Sequence, residues 1–203
     1  MTNTTTHNPQ ELTPQGDADP RVGLASAIAL GGEAIARVDP VQLGRRTPCT
    51  EFAVRDLLGH MVFVLRRVAA VGRGEDAFAI APTSHVADTC WVETWTEAAH
   101  QVEVAWADPG VLQRIMLLPF GKLPGAAVAT FYTGELTIHT WDLATATEQR
   151  PAWDDGIVAS TLFAFERFLP PTRAPEVPFD PPVSISGDRP LIERLVAWTG
   201  RRP

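Results

Sequence analysis

The chain has 203 residues, 45% of them hydrophobic and 20% charged, a balance that can bury one sizeable core and excludes disorder throughout. Its formal charge of −7 repels phosphate backbones and anionic lipid heads, which excludes nucleic acid and membrane surfaces as partners. Two cysteines, Cys49 and Cys90, make no disulfide framework; residues 1–20 lack the basic and apolar runs of a targeting signal; and no stretch approaches the roughly 18 apolar residues of a membrane span, so a reducing cytoplasm is expected.

Thr, Asn, Pro and Gln dominate residues 1–19, a composition that predicts a disordered tail. From residue 20 to 203 no composition break divides the chain, so one domain is expected. Pro20 and the spacing of Val22, Ala25, Ile28, Ala29 and Ala36 predict a first helix over 20–37, stopped by Asp39-Pro40. A second helix over 53–71 aligns Val54, Leu57, Leu58, Met61, Leu65 and Val68 on one face, with Thr50 as the expected N-cap. Gly72, Gly74, Pro82 and Ser84 mark a long connection over 72–89, of the kind that joins parallel neighbours in a bundle. Trp91, Trp95, Ala98, Val102 and Trp106 form the core stripe of a third helix over 90–106. Val111–Leu118 is apolar and expected to be extended before Pro119, Gly121 and Pro124 break it. A fourth helix over 124–147 is apolar on nearly all sides, as suits the middle of a bundle, and a fifth covers 152–168. Prolines then interrupt 170–190, and a short helix over 190–199 ends at Gly200.

Chemistry concentrates on the fourth helix. Glu135, His139 and Asp142 are spaced i, i+4, i+7, an arc of roughly 60° at about 100° per residue. That stripe also carries Val128 and Ala146, so ionisable groups stand where periodicity marks burial. A buried carboxylate needs compensation, which either a Glu–His hydrogen bond or a metal ion supplies. His60, in the middle of the apolar second helix, would complete a set of two nitrogens and one oxygen that leaves coordination positions open. Asp56 and His60 share the same i, i+4 spacing, a reminder that the pattern is common. Arg67, two turns beyond His60, is either an anion-binding group or, with Arg66, a solvated helix face. Cys49, ahead of the second helix, is either a thiol activated by a helix N-terminus or a plain loop cysteine.

Four segments resemble the DinB/YfiT-like metal-binding superfamily, in particular its mycothiol-dependent maleylpyruvate isomerase branch. They are TPCTEFAVRDLLGHM over 47–61, LPFGKLPGAAVATFYTGELTIHTWDLATAT over 118–147, the linker FDPPVSISGD, and PLIERLVAWTGRRP over 190–203. The resemblance implies an all-α, DinB-like four-helix bundle with a long crossover and additional C-terminal helices. It carries the branch's metal ligands onto His60, Glu135 and His139, with Asp142 supporting them from behind. Phe52 departs from the pattern, standing where relatives usually have Trp, and residues 72–118 match no motif of the branch.

The resemblance further implies an enzyme that binds zinc, with nickel, iron or manganese as alternatives, and uses a low-molecular-weight thiol such as mycothiol. Coordination would ionise the thiol for S-transfer to, or isomerisation of, a small electrophile, with Asp142 and Arg67 as the catalytic candidates. Two other readings stay open: a hydrolase or lyase using metal-activated water, and a bundle that binds small molecules without catalysis. A monomer or homodimer is compatible with each.

Overall fold

A computed structural model of the chain describes residues 19–82, 86–118, 121–173, 177 and 179–203. Of the predicted tail over 1–19, residues 1–18 lie outside the described residues, as do Ser84 and Pro119 of the predicted breaks.

Six helices carry the architecture: α1 (Pro20–Ala36), α2 (Val54–Arg73), α3 (Trp91–Ala105), α4 (Gly125–Ala146), α5 (Asp155–Phe168) and α6 (Leu191–Trp198). α1 packs between α3 and α4, and so does α2, so two helices consecutive in sequence sit across the diagonal of a four-helix ring. The connections that cross the ring are therefore those from α1 to α2 and from α3 to α4, whereas the connection from α2 leads to its neighbour α3. α5 lies on the outside of α4, and α6 covers α5 and reaches α4.

Helix boundaries follow local chemistry. Asp19 starts α1 by accepting a hydrogen bond from the Arg21 backbone N–H at 2.9 Å. α2 begins later than a Thr50 cap would allow. An antiparallel bridge between Arg46 and Ala53 holds the chain extended up to Ala53, and the Asp56 carboxylate then accepts from the Ala53 N–H at 3.0 Å. α2 stops at Gly74, whose φ of 83° is the left-handed conformation that glycine adopts without strain.

α4 is the central helix and is buried on almost every side. Thr133 and Thr137 within it, and Thr147 at its C-cap, need no outside partner, since each donates to the carbonyl four residues earlier. Gly134 lets α5 approach, because an added Cβ would overlap the ring of Phe165 and stand 2.8 Å from Thr161 Cγ2. That ring stacks on Phe131 at 5.8 Å between centroids.

The segment expected to be wholly extended divides in two. Pro109–Gln113 forms a tight 3-10 turn started by Asp108, and the remainder forms strand β1 (Ile115–Leu118), paired antiparallel with β2 (Gly121–Pro124). The register sets Ile115 opposite Pro124 and Met116 opposite Leu123. The described residues of the proline-rich segment before α6 form neither helix nor strand. Among the described residues no helix is long and apolar enough to cross a membrane.

Candidate metal centre

His60 projects from α2 towards the stripe of α4 that carries Glu135, His139 and Asp142. One ligand atom from each of His60, Glu135 and His139 lies within 4.8 Å of the other two. His60 Nε2 stands 3.5 Å from Glu135 Oε1, and the rings of His60 and His139 meet edge to face with centroids 4.7 Å apart. Side-chain exposure falls along the site, from 24% at His60 and 13% at Glu135 to 7% at His139 and 0% at Asp142. The open end therefore lies at His60.

Asp142 is fully buried behind the histidine. Its Oδ2 lies 3.1 Å from His139 Nδ1. Arg201, from the turn after α6, donates to the same carboxylate through Nε at 3.3 Å and Nη2 at 2.9 Å. Burial works to raise the Asp142 pKa, but the hydrogen bond to His139 and the Arg201 guanidinium hold it below the usual carboxylate range. Burial pushes the His139 pKa down, and the Asp142 hydrogen bond only partly opposes that. The imidazole is thus neutral at neutral pH, the form that binds metals. Burial also works to raise the Glu135 pKa, yet the hydrogen bond from His60 and the nearby charges keep it low, so the carboxylate is ionised.

The three side chains fit a divalent cation. Donors about 2.0–2.2 Å from zinc in a tetrahedral shell stand about 3.4 Å apart, close to the separation seen between His60 and Glu135. Two imidazoles and one carboxylate also suit zinc and its neighbours in the first transition row. With Nδ1 of His139 engaged by Asp142, Nε2 is the nitrogen left to bind.

Aromatic rings form the wall. Phe52, the residue that departs from the branch pattern, packs against His60 at 5.1 Å between centroids, and the Phe63 ring lies 6.3 Å from it. Arg67 places its guanidinium carbon 4.4 Å from the centre of the Phe63 ring, half-buried rather than solvated. Its charge reaches both the Tyr132 hydroxyl and Glu135, and its buried Nε has no hydrogen-bond partner among the described residues.

Two further residues stand near this centre, Arg201 and Cys49. Arg201 gave no signal, since its contact with Asp142 spans 59 positions. Cys49 brings its sulfur within 4.8 Å of ligand atoms of His139 and Asp142. Burial raises its thiol pKa above the ordinary value, which the Arg201 charge only partly offsets, so it is a protonated thiol at neutral pH and not an activated one.

A family model described as the mycothiol maleylpyruvate isomerase N-terminal domain matches residues 24–144, the span that includes all three candidate ligands and Asp142. The chain belongs to that family. This member of the mycothiol maleylpyruvate isomerase family is also similar to two uncharacterised proteins of Mycobacterium tuberculosis, from strain CDC 1551 / Oshkosh and strain ATCC 25618 / H37Rv. Each is 30% identical over 168 residues, covering 82% of this chain and 89% of the relative. Among solved structures, the mycothiol-dependent maleylpyruvate isomerase matches with a TM-score of 0.56 at 14% identity, over 71% of this chain and 66% of that one. A mutant of that isomerase matches with a TM-score of 0.58 at 12% identity, over 72% and 66%. At these identities the likeness establishes the DinB-like helical fold.

Proposed function

We propose that the protein is a divalent-metal-dependent enzyme that uses a low-molecular-weight thiol of the mycothiol kind to isomerise, or transfer sulfur to, a small electrophilic substrate. The observation that carries this reading is the convergence of His60, Glu135 and His139 from two helices onto one point, backed by the buried Asp142. Family membership adds the thiol, because mycothiol and maleylpyruvate stand in the family's own description.

In this reading His60, Glu135 and His139 hold the ion, zinc in the first place. When bound, zinc lowers the pKa of a coordinated thiol from its ordinary value of about 8.5, so that the sulfur is nucleophilic at neutral pH. Asp142 keeps His139 in the Nδ1–H tautomer and turns its free nitrogen to the ion. Arg67 receives a carboxylate of the thiol or substrate. Its unpaired Nε supports this, because a buried guanidinium N–H without an acceptor is costly until a ligand provides one. Phe52 and Phe63 pack against the His60 ring and orient it.

Elemental analysis of the purified protein and of His139→Ala, followed by turnover of maleylpyruvate or a related enoyl substrate with and without added thiol, tests the reading. One metal ion per chain, lost in the variant while helicity persists, and turnover that needs both metal and thiol are expected. Equal metal in both proteins would overturn the ligand assignment. Turnover with metal but no thiol would favour metal-activated water instead.

A further inference from the structure

Arg201 lies outside the span matched by the family model, near the end of the chain, yet it is only 8% exposed. Its delivery is built into the backbone. Just past the end of α6 stands Gly200, whose φ is 90° and at which an added Cβ would collide with Cβ of Asp180. The chain therefore turns inward at a position closed to other residues, and the next side chain points at α4. There the guanidinium is held from three sides. Nη1 donates to the Thr199 carbonyl at 2.9 Å, Nε and Nη2 grip the two oxygens of Asp142, and the Phe179 ring centre lies 5.9 Å from Cζ.

We propose that Arg201 is a positioning residue for His139, acting through Asp142; the proposal rests on the reading of Asp142 and His139 given above. A carboxylate held at one point can rotate about Cβ–Cγ, whereas a two-point grip by a planar fork fixes its plane. That plane decides whether Oδ2 faces His139 Nδ1, and hence which imidazole nitrogen carries the hydrogen. A competing partner is close by, since the Cys49 sulfur lies within 4.8 Å of ligand atoms of both Asp142 and His139. With the fork removed, the carboxylate is free to turn from the imidazole towards that thiol. The plainer role, neutralising a buried carboxylate, makes a different demand: any cation would satisfy it, lysine included.

The test compares the wild type with Arg201→Lys and Arg201→Gln. Long-range 1H–15N spectra of the histidine rings in metal-free protein, taken at pH 8 where a free imidazole of pKa about 6.5 is neutral, report the tautomer. Chelator competition reports zinc affinity. The wild type should show His139 as the Nδ1–H tautomer. Both variants should give a mixture of tautomers, with zinc affinity lowered about 10- to 100-fold, the range seen when the partner behind a metal-bound histidine is disturbed. Arg201→Lys keeps the buried charge balanced, so it remains readable if Arg201→Gln does not fold. A folded Arg201→Lys protein with the wild-type tautomer and zinc affinity would overturn the proposal. If the wild type takes up no zinc while its tautomer still depends on Arg201, the metal reading fails and the clamp stands.

Discussion

His139 is the residue at which burial and charge pull hardest against each other. Its imidazole is nearly inaccessible and its pKa is pushed down by burial, whereas in the unfolded chain it returns to about 6.5. Below that value the unfolded state takes up a proton that the folded state refuses, so stability falls as pH drops from about 6.5 towards the lower folded value. Asp142 acts in the same direction at more acid pH. Its folded pKa is depressed, so its contribution is present above about 3.9 and lost as pH falls through the lower folded value. Thermal melts of metal-free protein from pH 8 to pH 4 should therefore show Tm beginning to fall near pH 6.5. His139→Gln should flatten the upper part of that fall. The position of Glu135, His139 and Asp142 on one buried stripe was legible because i, i+4, i+7 is a local relation that a helix converts directly into a shared face. The approach of Arg201 and Cys49 was not, since both reach the stripe from distant parts of the chain through turns that periodicity does not describe. Arg67 illustrates a middle case: its charge and its place after His60 were readable, but the choice between a solvated face and the site wall depended on the Phe63 ring beneath it. Arg67→Met should raise KM for a carboxylate-bearing substrate or thiol more than it lowers kcat, since the ground state and the transition state both carry that carboxylate. Steady-state kinetics in both substrates would check this, and an unchanged KM would remove Arg67 from the binding wall.

At the scale of elements, the contact between α4 and α5 is set by one missing side chain. A methyl group at Gly134 meets the Phe165 ring and stands 2.8 Å from Thr161 Cγ2, and both neighbours are buried in a close-packed core. Gly134→Ala also has a better intrinsic helix propensity by about 1 kcal/mol, so helix preference and packing point in opposite directions. Overpacking of a rigid aromatic contact typically costs about 1–3 kcal/mol, and it should prevail because Phe165 already stacks on Phe131. A fall in Tm of a few degrees is expected, at about 2–4 °C per kcal/mol for a chain of this size; an increase would show that α5 can slide away. The helices were visible in the sequence because their apolar stripes are long. The extended run that holds β1 was visible too, but its pairing with β2 and its two faces were not. Burial alternates along β1, with Met116 and Leu118 inward and Ile115 and Leu117 outward, but all four residues are apolar, so no period of two appears in the letters. The start of α2 was read to within a residue, but its cap was not, because the Arg46–Ala53 bridge, a pairing across a turn, keeps the chain extended past Thr50.

For the molecule as a whole, the question is whether the ion holds the bundle together or is held by it. The buried core runs through every helix, with Leu57, Leu58, Leu65, Tyr132, Leu136, Ile138, Leu143, Phe165 and Leu195 all but inaccessible. It surrounds the candidate centre without depending on it. The polar residues behind the centre also pair with one another, His139 with Asp142 and Asp142 with Arg201. Small metallo-domains that unfold without their metal have neither property. Removing the metal should therefore withdraw only its binding contribution. At a free concentration of about 1,000 times Kd that contribution is about 4 kcal/mol, which at about 2–4 °C per kcal/mol corresponds to a fall in Tm of about 8–16 °C. Chelation followed by far-ultraviolet circular dichroism should leave the helical signal unchanged at 25 °C, with a lower melting point restored by adding zinc. A chelated protein that loses its helices at 25 °C would instead show that His60 and the α4 stripe are tied together by the ion itself, and the reading of an open, reactive centre would give way to a structural one.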